Sequence, residues 1–600
     1  MFAFLIKEFI NYYYIMTNVQ NKLEKFLIKL QVFILPFFFL LFFIYRNLLF
    51  NLNTALYDWN DYPLITWIIR QNVEHIKNLD FTNFFESNIF HPHPYTMLLS
   101  DLLIPESLIA IPISYLNSNP IFLINTLFFI AWFLNIIAAY TLWKRLFKKE
   151  NLFIAIFFTI FSPFTIINTA HFQLLNIWPF LFGLSYLLQE KLSKRDCFVL
   201  GIWIAVLYSS SVYLAVFLFT ITVIYFVIKA LKNIKQKRKL IIYFKQLAII
   251  SIIFLSLTSY LTYKYLQARK YYHAQPKYSD YVLYSADIAN YFFTEPYDSI
   301  LAKLPISQKW NSLLKKRNTV AFPGLVLVTL VFLAWKKNFK NKRKKSFFDI
   351  FFLSLLIFGF ISSLGPRLSF NKRYIGLPLP YAVLLKLFPL LEPIRGTSRW
   401  FLLVNLGLIY FAVQGFSYLK TYFENKKILH PYLLIVIVII SYFVEIIPVQ
   451  KQFESKEYYP ASYQILEKAC NQKSQVLLEY PLLFNPYDDE RGIVGMLQHW
   501  TQITITTTKH NCKIINGYSG YFPPDFFPYN SQLVAALNDN NLKNIEELIN
   551  QRQINYIKIH KNKLTPKEAT AWENLINQLE HFDKIFENEE GLIIKVHPKK

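Results

Sequence analysis

The chain has 600 residues, of which 54% are hydrophobic and 18% aromatic, with a mean hydropathy of +0.28. Many apolar runs reach roughly 20 residues, the length that crosses ~30 Å of hydrocarbon as a helix, and this excludes an ordinary soluble protein. A net charge of +25 would suit nucleic acid, but much of the Lys/Arg excess sits in short connectors between apolar runs, where it reads as a topology signal and argues against a nucleic-acid partner.

Residues 1–20 lack the small-residue cleavage site of a secretory signal, and Met16 is an alternative start. A first span is expected at about 28–49, preceded by Lys22, Lys25 and Lys29, which places the N-terminus inside. The loop 51–101 is then outside. It carries Asp58, Asp61, His75, Glu86, the run His91-Pro92-His93-Pro94, and Ser100-Asp101.

Residues 102–117 are apolar but short, and Pro105 and Pro112 interrupt them. If they crossed, the cluster Lys144, Arg145, Lys148 and Lys149 after the next span (about 120–143) would fall outside, and every later basic connector would be inverted. They are therefore read as an interfacial or re-entrant helix. Spans are then expected at about 151–168, 172–189, 197–209, 211–230, 241–263, 319–335, 347–364, 398–419 and 429–447. Inner connectors carry Lys191, Lys194 and Arg195, then Lys232 to Lys239, Lys336 to Lys345, and Lys426 with Lys427. The short outer connectors near His171 and Ser210 have no Lys or Arg.

The expected class is an α-helical polytopic membrane protein of about eleven crossings, N-terminus in and C-terminus out. Residues 1–447 form its membrane domain, with further outer loops at 264–318 and 365–397, and 448–600 form an extracytoplasmic domain. In that domain Val476–Tyr480 reads as a strand ending at Pro481. Asn541–Gln551 reads as an amphipathic helix leading into a strand at Ile554–Ile559, and Leu592–Val596 as a last strand, so a small α/β domain is expected. The cysteines Cys197, Cys470 and Cys512 are too few and scattered for a zinc site or disulfide framework, but Cys470 and Cys512 can pair if their domain lies outside the cytoplasm.

Few polar groups outside the spans could carry chemistry. Asp58 and Asp61 suit a general base or metal ligand beside a membrane-embedded substrate, or else simply sit among lipid headgroups. Pro63 makes a helix begin after them. His91 and His93, between prolines, form a rigid extended segment better suited to packing or substrate contact than to zinc, which would need further ligands. His171, beside Gln173, is read as a helix-end residue at the outer end of a span. Cations are disfavoured in short outer loops, so Arg367, Lys372, Arg373, Arg395 and Arg399 are expected to have partners, either a lipid phosphate or diphosphate or ordinary headgroups.

The stretch Asp61-Tyr-Pro-Leu-Ile-Thr-Trp67 resembles the acidic element in the first outer loop of GT-C membrane glycosyltransferases. Phe85 through Thr96, with Ser100-Asp101, is similar to the YfhO-like bacterial branch. The likeness continues in order through Asn119-Pro120, Asn125, Ser162-Pro163, His171, Trp178-Pro179, Tyr284-Ser-Ala-Asp287, Leu364-Gly-Pro366, Pro393-Ile-Arg395, Arg399-Trp-Phe401 and Asn516-Gly-Tyr-Ser-Gly520.

The resemblance implies a GT-C bundle that transfers a sugar from a polyprenyl-phosphate-linked donor to an extracytoplasmic glycan, lipid or protein acceptor. Asp61 is then the candidate base with Asp58 in support. Many members carry an adjacent acidic pair, and the spacing here departs from that, so which of the two is the base stays open. Substrate-binding candidates are His91, His93, Asp101, His171, Gln173, Asp287, Arg395 and Arg399. Arg395, Arg399 or a divalent cation (Mg or Mn) would stabilise the phosphate leaving group. A flippase for lipid-linked precursors and a non-catalytic envelope assembly protein are the alternatives. No internal repeat is seen and the spans are nearly free of charge, which speaks against transport.

Overall fold

The computed structural model describes residues 37–38, 41–189, 191–292, 299–314, 319, 321–340, 346–388, 391–428, 430–448, 453, 458–472, 474–482 and 492–597. Met16, the flanking Lys22, Lys25 and Lys29, the first part of the expected first span and the run 341–345 lie outside the described residues. By internal contact the chain divides into two units, Met1–Leu49 with Phe128–Thr258 and Pro276–Gln452, and Phe50–Leu127 with Ser259–Gln275 and Phe453–Lys600.

The chain is mostly helical. Among the described residues, five helical runs are long and apolar enough to cross a membrane: Pro120–Trp143, Lys149–Ala170, Val212–Lys232, Lys237–Tyr272 and Thr397–Lys426. The 24 residues of the first make a helix about 36 Å long. Shorter apolar helices include Leu41–Phe50, Ile104–Leu116, Phe347–Ser363 and Pro431–Ile446. The chain is thus a membrane protein.

Prolines set several boundaries. Pro163 begins a new short helix inside the second run, where Ser162 caps Thr165. The expected span 172–189 is instead broken into Phe172–Leu175 and Trp178–Leu187, the second opening with Pro179. Ile104–Leu116 is a 13-residue helix containing Pro112, too short to cross unaided. The helix expected to end at 263 continues to Tyr272, so the first residues of the 264–318 segment are helical.

In the first unit, the helices Phe347–Ser363 and Phe401–Lys426 pack closely. A Cβ on Gly407 would lie 2.7 Å from the Leu356 Cβ and 2.8 Å from the Phe352 carbonyl, so only glycine permits that approach. The segment 365–397 holds a hairpin, β1 (Arg367–Phe370) and β2 (Arg373–Pro378). Asn371 and Lys372 at its tip both have positive φ, as a two-residue hairpin turn requires.

In the second unit, β3 (Val476–Tyr480), β4 (Lys513–Ile514), β5 (Tyr556–His560), β6 (Phe582–Glu587) and β7 (Gly591–Val596) form one sheet in the order β4-β3-β5-β7-β6. β3 pairs in parallel with β4 and β5, and the other pairs are antiparallel. The mixed sheet follows from helical crossovers (Gly492–His510; Phe526–Asn538 and Leu542–Gln551) between its parallel strands and a short turn between β6 and β7. Asn541 caps the helix before β5 by accepting the Asn544 N–H. Cys470 and Cys512 form a disulfide.

Candidate functional site

The acidic stretch folds as a turn entering a helix. Pro63 stands in the first turn of the helix Tyr62–Lys77, and Asp61 is its N-cap residue, so the two acids precede the helix instead of sharing a face of it. Asp58 Oδ1 accepts the backbone N–H of Asn60 at 2.8 Å and of Asp61 at 3.0 Å. An aspartate that accepts amides two and three residues ahead holds its own turn closed. The Asp61 side chain makes no hydrogen bond to its helix N-terminus. Asp58 Oδ1 thus closes the turn, and Asp61 stands at the N-cap position of the helix that follows.

The turn is fastened on both sides. Before it, Asn125 donates to the carbonyls of Leu52 at 2.9 Å and Ala55 at 2.7 Å. After it, Gln498 donates to Asn60 Oδ1 at 2.8 Å, and the Thr501 hydroxyl lies 3.2 Å from the Trp59 carbonyl. Both partners belong to the helix Gly492–His510, so the C-terminal region carries the acidic turn.

The segment 88–93 docks on the same region. The N–H of Ile514 donates to the carbonyl of Asn88, His91 donates to Ile514, and Phe90 donates to Asn516, at 2.7, 2.9 and 3.0 Å. A Cβ on Gly517 would meet the Phe90 ring at 2.9 Å, which explains the glycine after Asn516. Asn516 itself exchanges two hydrogen bonds with the backbone of Glu479, at 2.8 and 2.7 Å.

His93 lies with Nε2 2.9 Å from Asp525 Oδ1 and Nδ1 3.1 Å from the Tyr271 hydroxyl, and Arg552 completes the group by pairing with Asp525. Burial lowers the His93 pKa, and Arg552 adds to this against the opposing pull of Asp525. Burial, aided by Lys513, Arg552 and His93, pushes His91 down to about 4. The His93 imidazole thus ties this segment to Asp525, whereas His91 docks through its backbone N–H. Among the described residues no three His, Cys, Asp or Glu side chains come together as a metal-ligand set. Asp101 is half-buried just after the turn Thr96–Leu99.

The remaining sequence candidates belong to the first unit, where motifs far apart in sequence meet. Ala286 donates to the Ser363 carbonyl at 2.9 Å, Ser398 to the Tyr284 carbonyl at 3.1 Å, and Thr397 to Ser285 Oγ at 3.1 Å. The stretches 284–287, 364–366 and 393–399 therefore form one cluster. Within it Asp287 is fully buried and accepts three backbone N–H groups, from Ala289 (2.8 Å), Asn371 (2.9 Å) and Lys372 (3.0 Å). Its carboxylate holds the tip of the β1–β2 hairpin. Arg399 lies over the Tyr213 ring, 4.5 Å from its centre, while the Tyr213 hydroxyl accepts the Gly396 N–H at 3.0 Å. Arg395 is half-buried in the same loop. His171 stands at the N-cap position of the short helix Phe172–Leu175, with Gln173 in its first turn.

One cluster escaped the sequence reading. Glu479 of β3 stands in register with Lys558 of β5, and both are buried. Glu479 Oε2 lies 2.7 Å from both the Tyr463 hydroxyl and His560 Nε2. The only sequence signal is the spacing Tyr556-Ile-Lys558-Ile-His560, which puts Lys558 and His560 on one strand face. That face reads as solvent-exposed until a helix is known to cover it.

The fold is similar to that of the GT-C membrane glycosyltransferases. The chain is similar to the arabinofuranosyltransferase AftD from Mycobacteria, with a TM-score of 0.53 and 12% identity over 91% of this chain, and it spans 38% of the length of that protein. It is also similar to the oligosaccharyltransferase of Archaeoglobus fulgidus in its apo form, with a TM-score of 0.46, 11% identity, and coverage of 83% of this chain and 65% of that one. Residues 77–443 match the family described as Domain of unknown function (DUF6311), and the chain belongs to that family. No curated protein sequence matches it.

Proposed function

We propose that the protein is a membrane glycosyltransferase that moves a sugar from a polyprenyl-phosphate-linked donor to an extracytoplasmic glycan, lipid or protein acceptor. The observation that carries this reading is the acidic turn itself, in which Asp58 Oδ1 accepts two backbone amides and Asp61 stands at the N-cap position of the next helix, in a chain whose fold is similar to that of a membrane glycosyltransferase. A donor that arrives through the bilayer needs no nucleotide-binding loop.

In this reading Asp61 takes the proton of an acceptor hydroxyl as its oxygen attacks the anomeric carbon of the sugar. The bond from that carbon to the phosphate oxygen breaks, and the carrier phosphate leaves with the electron pair. Taken by themselves, Arg395 and Arg399 of the first unit are cations suited to an anionic lipid phosphate. The Tyr213 ring beneath Arg399 fixes the plane of its guanidinium, which suits a bidentate contact. Asp58 and Asp287 act in this account as positioning residues.

We further read the chain as about eleven crossings with the acidic turn and the C-terminal domain outside, as the charge pattern suggests. The Cys470–Cys512 pair supports this, because disulfides persist in oxidising compartments. The ordered motifs support a placement near the YfhO-like branch.

The test uses full-length protein in proteoliposomes with polyprenyl-phosphate-linked radiolabelled pentoses and hexoses. Wild type is expected to consume at least one donor and release free carrier phosphate, and Asp61→Asn is not. Flipping of a donor without its consumption would overturn the reading in favour of transport.

A further inference from the structure

We propose that the C-terminal domain holds a second ligand site, a pocket that binds a single acidic sugar unit bearing a carboxylate or a phosphate. The pocket has a volume of about 190 Å³, below the ~300–1,000 Å³ of sites for larger ligands, and so suits one ring. It lies between the helix Gly492–His510, β5 and the segment 458–463, with Trp59 of the first connector on its wall.

Its walls combine the two surfaces that an acidic pyranose needs. Trp59, Tyr458 and Tyr463 provide aromatic surface against which the apolar face of a sugar ring can pack. Lys558 and Lys563 provide basic groups, and His499 and His560, which burial holds well below the ordinary imidazole pKa, provide neutral ring nitrogens; among the described residues the lining has one carboxylate, Glu590 on the exposed rim.

Two buried groups on its floor point to a ligand. His499 is 7% exposed, and its Nε2 is buried with no hydrogen-bond partner. Lys558 is 3% exposed, sits over the Tyr463 ring, and makes no ion pair among the described residues. Glu479 stands beside it and attracts it; its Oε2 is taken by Tyr463 and His560, and its Oε1 is buried with no hydrogen-bond partner. Leaving the buried His499 nitrogen without a partner is costly, and a bound ligand that reaches it and Lys558 together would offset that cost. Burial lowers Lys558 to about 7, with Glu479 and Glu590 opposing, so an anion in the pocket would restore its charge.

The proposal is tested on full-length protein in nanodiscs by ligand-observed NMR with D-glucuronate, glucose 6-phosphate, glucose and inorganic phosphate. At least one acidic sugar is expected to bind at least tenfold more tightly than glucose and inorganic phosphate, and whether glucuronate or glucose 6-phosphate binds tighter tells carboxylate from phosphate. Lys558→Met is expected to weaken that binding at least tenfold. Lys563→Ala, on the exposed rim, is expected to weaken it several-fold with unchanged thermal unfolding, and decides the matter if Lys558→Met fails to fold. Glucose binding as tightly as either acidic sugar, binding by none of the four, or unchanged binding in Lys563→Ala would overturn the proposal. No turnover is required, and binding is expected to survive in Asp61→Asn, so this site and the transfer reading can fail separately.

Discussion

Gln498 donates its side-chain amide to Asn60 across 2.8 Å, joining positions 438 residues apart. Through this bond and the neighbouring Thr501–Trp59 contact, the C-terminal domain positions the turn that carries Asp58 and Asp61. A soluble-looking domain at the end of a membrane chain thereby sets the geometry of its acidic element.

Removing that support should cost activity more than stability. An exposed hydrogen bond contributes about 0.5–1.5 kcal/mol, whereas a shift of ~1 Å in a catalytic group can lower a rate by ~10²-fold. The double variant Gln498→Ala/Thr501→Val is therefore expected to lower donor turnover at least tenfold while its thermal unfolding falls by only a few degrees. Rates measured beside a melting curve check this.

Asp287 should control the β1–β2 hairpin. Its carboxylate accepts three backbone amides, and Asp287→Ala leaves the amides of Asn371 and Lys372 without it. Hydrogen exchange is expected to quicken at residues 367–378 in that variant and to change little in Phe401–Lys426. Unchanged exchange at the hairpin would remove the holding role.

Acid should destabilise the C-terminal domain. Burial lowers fully buried His510 from the ordinary 6.5 to about 4, although Glu479 opposes this. Between those values the unfolded chain binds a proton that the folded one does not, so stability is full above pH ~6.5 and falls toward pH ~4. The slope from this one group is about 1.4 kcal/mol per pH unit. His91, also lowered to about 4, acts in the same direction. Urea unfolding followed at pH 7, 5.5 and 4.5 reads this slope, and His510→Gln is expected to flatten it.

The disulfide should form in the native compartment and stabilise its domain. It closes a loop of 42 residues, for which the chain-entropy relation gives about 4 kcal/mol. Protein prepared without reductant is expected to resist maleimide labelling at Cys470 and Cys512 even when unfolded, and reduction is expected to lower the melting temperature of the domain. Full labelling without reductant would contradict the outward placement.

Local signals in the sequence were readable where chemistry is local. Pro63 announced a helix beginning after Asp61, the amphipathic run 541–551 announced the helix before β5, and the run Val476–Tyr480 announced a strand. The hairpin Arg367–Pro378 was not readable, because β2 is exposed along its whole length and shows no alternation. Two sites depended on tertiary pairing. The Glu479–His560 contact joins residues 81 apart, and nothing near either residue signals it. The carboxylate of Asp287 looked like a ligand for substrate, yet its amide partners lie in a hairpin 84 residues away.

Asp61 acts as the base in the proposed transfer, and Asp58 holds the turn that carries it. The most direct measurement is the initial rate of donor consumption by Asp61→Asn beside Asp58→Asn, both in proteoliposomes at wild-type protein levels. Asparagine at 58 keeps an oxygen for the amides of Asn60 and Asp61, so that variant is expected to retain a substantial part of the rate. Asparagine at 61 cannot accept a proton, so that variant is expected to lose at least ~10²-fold. Full activity in Asp61→Asn would contradict the account.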